Sequence, residues 1–105
     1  MKAIINGKRY NTETATKVAD WSNDYCYSDF NYCHEELFVT SKGAFFLIGE
    51  GGALSLYSKP AFGGGTAGSS EVFQVLTGEE TLTWLERHDL AEEAEKYFSD
   101  SIEDA

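Results

Sequence analysis

Basic residues are scarce in this chain: eight Lys and Arg stand against 18 Asp and Glu, a formal net charge of −10. Nucleic acids and anionic membranes are bound by Lys and Arg that displace counterions, so direct binding to either is not expected. Such a charge suits a basic protein partner, and it also serves solubility alone. Long hydrophobic runs are missing too, and none approaches the roughly 20 apolar residues a membrane helix needs. The opening Met1-Lys2-Ala3-Ile4-Ile5-Asn6 carries one charged side chain and four apolar residues, too little for a signal peptide. A soluble protein of the cytoplasm is the expectation, with its thiols reduced. Only two cysteines occur, Cys26 and Cys33, and six residues separate them. They neither demand nor exclude a disulfide.

What is present is enough for a core. Hydrophobic residues make up 42% and aromatics 14%, unlike the aromatic-poor composition of a disordered acidic chain. A length of 105 residues predicts one domain, 1–105.

The segment AIINGKRY places Asn6-Gly7 between two short apolar arms, the pair preferred in a type I′ turn, and predicts a β-hairpin. NTETATKVADW, rich in Thr, predicts a short helix capped by Thr12 or Thr14, with an extended segment as the alternative. ELFVT and AFFLIG, joined by Ser41-Lys42-Gly43, predict a second hairpin. In its second arm Phe45 and Leu47 point to one face and Phe46 and Ile48 to the other. That marks an interior strand covered on both sides. Gly49, Gly51 and Gly52 are expected to stop it. ALSLYS is ambiguous and ends at Pro60; FGGGTAGSS reads as a flexible loop, and EVFQVL as a further strand.

Thr77-Gly78-Glu79-Glu80 fits a capping box. The helix it opens buries Leu82, Trp84 and Leu85, with Thr81 at the edge of that arc, and turns Glu79, Thr83 and Glu86 outward. His88-Asp89 breaks it, with His88 expected as a partial cation at the helix C-terminus. A second helix from Leu90 to Phe98 turns Glu92, Glu95 and Lys96 to water. The whole predicts an α+β fold: an antiparallel sheet of about four to five strands built from hairpins, with acidic C-terminal helices packed on it.

Three constellations invite a chemical reading. Cys26, Cys33 and His34 supply three zinc ligands where a structural site wants four in close pairs, so no metal is expected; Asp29 or Glu35 as a fourth has no support in the spacing. A Cys–His nucleophile needs thiolate and imidazole on one side. Cys33 and His34 are adjacent, and on a strand they point apart. GEGGA and FGGGTAGSS lack the Lys that a phosphate loop requires. No catalytic residue and no cofactor is therefore expected. Glu50, held between Gly49 and Gly51, is either a contact point or the polar tip of a turn.

Residues 20 to 36, DWSNDYCYSDFNYCHEE, hold five aromatic rings, five carboxylates and no Lys or Arg. Rings such as Trp21 and Tyr25 offer rigid contact area typical of interfaces. Interleaved with Asp20, Asp24, Asp29, Glu35 and Glu36, they suit a basic surface, or else a loop covering the sheet with its acids outside.

INGKRYNTETATKVADW and LFVTSKGAFFLIGEGGALSLY resemble a family of small acidic proteins encoded on bacterial phages, plasmids and integrative elements. The resemblance spans about residues 4 to 57, while the C-terminal helices share only acidity. It carries over no activity, cofactor or catalytic residue. Small acidic proteins of mobile elements are often inhibitors of host defence, among them anti-CRISPR proteins that occupy nucleic-acid channels. The resemblance thus implies a non-enzymatic inhibitor in the host bacterial cytoplasm, whose partner is a CRISPR effector subunit or another basic nucleic-acid-binding defence protein. The alternative is a regulatory or immunity-type binding module whose target has nothing to do with nucleic acid. The expected contacts are Asp20, Trp21, Asp24, Tyr25, Asp29 and Glu50, with Glu79, Glu86, Glu92 and Glu95 on the helices. Carboxylates three or four residues apart on a helix lie roughly 5–6 Å apart, a spacing that imitates a phosphate track.

Overall fold

The computed structural model describes all 105 residues. Asn6 and Gly7 both adopt positive φ, 51° and 77°, as a type I′ turn requires. They join β1 (Lys2–Ile5) to β2 (Lys8–Asn11) in an antiparallel hairpin.

The next segment is extended rather than helical. The Asn11 side chain accepts from the Glu13 N–H at 3.0 Å and the Asn11 carbonyl from the Ala15 N–H, so Asn11 makes a turn where a threonine cap was expected. β3 (Thr16–Ser22) then pairs along its length with β4 (Cys33–Val39). That ladder outweighs the weak helix propensity of a Thr- and Val-containing stretch.

β4 turns into β5 (Phe45–Gly51) through Gly43 at φ 85°. The strand does not stop at Gly49; it continues to Gly51 with a register shift between Gly49 and Gly51. FGGGTAGSS is also more ordered in form than a loop. β6 (Lys59–Pro60) and β7 (Thr66–Ala67) make a two-stranded ribbon with Gly63, Gly64 and Gly65 at its tip. β8 (Ser69–Leu76) returns beside β5. The main sheet has the order β3-β4-β5-β8 and is antiparallel throughout.

α1 (Gly78–Arg87) begins at the expected capping box. The Glu80 N–H donates to the Thr77 hydroxyl at 3.1 Å, and the Thr77 N–H to the Glu80 carboxylate at 2.9 Å. Asp89, at φ 56°, ends the helical path, and α2 (Ala91–Phe98) follows with a short 3₁₀ turn after it. No helix is long and apolar enough to cross a membrane.

Alternation along the strands divides the core in two. On one face Leu37, Leu47 and Leu76 pack with Trp84, Leu85 and Ala94 of the helices. On the other, Phe38, Phe46 and Ile48 pack with Tyr10 of the hairpin. The fold is therefore α+β, with β5 in the interior of the sheet and apolar cover on both sides.

Candidate functional site

Cys33, Glu35 and Leu37 alternate onto the helix-facing side of β4, which buries the Glu35 carboxyl group at 4% exposure. An acid does not enter such a place without partners. In the β4–β5 ladder Glu35 stands opposite Gly49. A methyl group at Gly49 would overlap the Tyr57 ring, so the missing side chain is what admits that ring to the sheet. The Tyr57 hydroxyl donates to Glu35 Oε2. From the other side Trp84 Nε1 donates to Glu35 Oε1 at 3.0 Å.

His88 completes the group. Its ring stacks on Trp21 at 4.1 Å between centroids and meets the Trp84 ring edge-on at 4.8 Å. Its Nε2 lies 3.8 Å from Glu35 Oε1, too far for a hydrogen bond, and this buried nitrogen has no partner. Burial holds the imidazole below its ordinary pKa; Glu35 opposes that effect and Arg87 adds to it. Burial, reinforced by Glu35, pushes the Cys33 thiol to about 11. Burial and then the bond to Glu35 also raise the Tyr57 phenol.

Two clefts reach this group. One, of about 380 Å³, has Trp21, Tyr25, Leu54 and Leu56 on its walls, with Glu35 and His88 in its lining. The other, of about 330 Å³, runs past Gln74 and Thr83 and also reaches Glu35. Arg87 borders both. A separate cleft of about 390 Å³ has Tyr32, Glu50 and Lys59 in its lining. Its main acceptor is engaged, because the Tyr32 hydroxyl donates to Glu50 at 2.8 Å. Burial, then Glu50, raises that phenol to about 12.

The expected contact residues fall into two groups. Glu79, Glu86, Glu92 and Glu95 are all exposed on α1 and α2, with Glu86 and Glu95 bordering one groove between the helices. In the aromatic stretch, Asp24 is exposed and Tyr25 half exposed. Asp20 is exposed but joined to Lys17 at 2.8 Å, and that hydrogen bond lowers its pKa. Asp29 is partly exposed and accepts from the Asn31 N–H at 2.7 Å in a local turn. Trp21 is partly buried against the core.

Glu50 is neither turn tip nor free carboxylate, since it sits within β5 and is held by Tyr32. The glycines around it answer close packing of residues 52–58 rather than a sharp turn. Glu35, grouped by sequence with the outward acids, is instead the buried centre of the helix side. His88, expected as a partial cation at the helix end, is packed between rings in its neutral form's favour. Cys26 is exposed while Cys33 is buried, and His34 lies on the strand face opposite Cys33, 3.8 Å from Glu50. The signal for Glu35 lay in its spacing: it shares its side of β4 with Cys33 and Leu37, both buried. Compared with known proteins, the chain matches no family model, no curated protein and no solved structure.

Proposed function

We propose that the protein is a non-enzymatic inhibitor of a bacterial defence system, an anti-CRISPR-like protein that grips a basic nucleic-acid-binding partner and blocks its nucleic-acid site. One observation carries the reading. Glu79, Glu86, Glu92 and Glu95 are exposed, and none of them takes part in an ion pair; Lys17 is the only Lys or Arg that forms one. The negative charge is thus left facing outward. A phosphate-binding cleft draws in such a surface by its summed field. A single exposed pair contributes at most about 1 kcal/mol, so no one carboxylate carries the binding.

The Trp21–Tyr25 cleft supports a second reading, a regulatory or immunity-type module whose contact is an inserted side chain with no likeness to nucleic acid. Competing DNA separates the two, because only a phosphate mimic is displaced by it. To test the first, the partner is captured from a bacterial lysate and association rates are measured at low and high salt. The variant E79K/E86K/E92K/E95K should associate at least tenfold more slowly at low salt, as expected for lost steering. Equal rates for variant and wild type, insensitive to salt, would sink the charge reading.

A further inference from the structure

A carboxylate inside a protein is ordinarily matched by a cation, and Glu35 has none. Its two hydrogen bonds come from neutral donors, Tyr57 and Trp84. No Lys or Arg lies within ion-pair distance of it. The nearest nitrogen able to carry charge, His88 Nε2, is 3.8 Å away, in a side chain only 8% exposed, and has no hydrogen-bond partner. Burial favours the neutral imidazole, in which one ring nitrogen is an acceptor. With Nε2 as that acceptor, it and Glu35 Oε1 are two acceptors 3.8 Å apart in the lining of one cleft.

We propose that the cleft walled by Trp21, Tyr25, Leu54 and Leu56 receives a lysine side chain from the partner, whose ammonium bridges Glu35 and His88. The dimensions agree. Charge-assisted N–H···O bonds run about 2.7–2.9 Å, so one nitrogen can sit within bonding distance of both atoms across a 3.8 Å gap. Leu54 and Leu56, both largely exposed, offer apolar surface to the four-carbon stem. The rings of Trp21 and Tyr25 attract a cation. Arg87, at the rim, opposes it, and the net charge of −10 favours it. Because Nε2 lies beneath the cleft surface, the incoming ammonium moves the His88 ring, and the stacked Trp21 senses it.

This inference rests on the reading of a basic partner, yet its test needs no partner. Isotope-labelled protein is titrated with Nα-acetyl-lysine-N-methylamide and n-butylammonium, and with n-butanol and butyrate at equal concentration. The two ammonium compounds should shift the Trp21 and Trp84 indole N–H signals with saturation, and butanol and butyrate should not. Glu35→Gln, which keeps an acceptor oxygen for its neighbours, should weaken the ammonium effect about tenfold, the scale of one charge-assisted bond. Leu56→Ala, at an exposed position, should weaken it severalfold without touching the fold. Indole shifts caused equally by butanol, or by butyrate acting on Arg87, would overturn the proposal. So would ammonium shifts confined to the acidic helix faces. Loss of partner binding by the helix charge variant leaves this titration unaffected, so the two ideas fail separately.

Discussion

The two faces of the main sheet are built from the same strands and follow opposite rules. On the hairpin side, Phe46 is fully buried, stacked with Phe38 and Phe73 and met edge-on by Tyr10. On the helix side, the same kind of packing surrounds a buried acid, two of its donors and an unpartnered imidazole nitrogen. Apolar packing of equal volume there would be at least as stable, since burying a charge costs more than its hydrogen bonds return. The hairpin side is thus explained by stability alone. The helix side is not, which is why the candidate site is placed there.

The comparison can be tested first where it predicts most. Phe46→Ala should cost about 3–5 kcal/mol, the range for deleting a fully buried aromatic ring, read from the urea midpoint. A cost under about 1 kcal/mol would mean that the hairpin does not cover that face.

On the helix side, Gly49→Ala should cost about 1–3 kcal/mol. The added methyl displaces the Tyr57 ring, leaving its hydroxyl and Glu35 without each other in a buried setting. Urea unfolding measures the loss, and an unchanged midpoint would show that Tyr57 does not lean on the sheet at Gly49.

The smallest effect is on pH dependence. Burial lowers the folded-state pKa of His88 below its ordinary 6.5, against the pull of Glu35 and with help from Arg87. Between those two values the unfolded chain binds the proton more readily, so folding stability rises with pH there. The contribution is complete above about 6.5 and declines as pH falls toward the folded value. His88→Gln should remove that part of the pH slope, leaving the carboxylate titrations at lower pH. Parallel profiles for variant and wild type would place His88 in water rather than between Trp21 and Trp84.

Legibility from sequence follows how local the cause is. Asn6-Gly7 and the Thr77–Glu80 box act within four residues, and both appear as read. The two-sided strand Phe45–Ile48 is equally plain, because four consecutive apolar residues admit no solvent face. The segment after Asn11 takes the extended alternative over the helix, because that form depends on pairing with β4, some twenty residues further along. The strand ends at Gly51 as expected, while the role of Gly49 is hidden from the sequence for a related reason. Glycine permits a turn and also permits close approach of another segment, and only the position of residues 52–58 distinguishes these.

By itself, the sequence determined the net charge of −10, the hairpin turns, the helix start and the outward set of helix carboxylates. All of these follow from composition or from chemistry within a turn or two of chain. The tertiary structure alone decided which acid is buried. Glu35 and Glu36 are chemically equivalent neighbours, and strand alternation turns one to the helices and the other to the opposite face of the sheet, where Lys17 meets it at 3.1 Å. Trp21, Tyr57 and the pair Trp84 and His88, one helical turn apart, come to Glu35 from three separate parts of the chain. No local rule links them, because what joins them is the closing of two sheet strands, one loop and one helix over a single carboxylate.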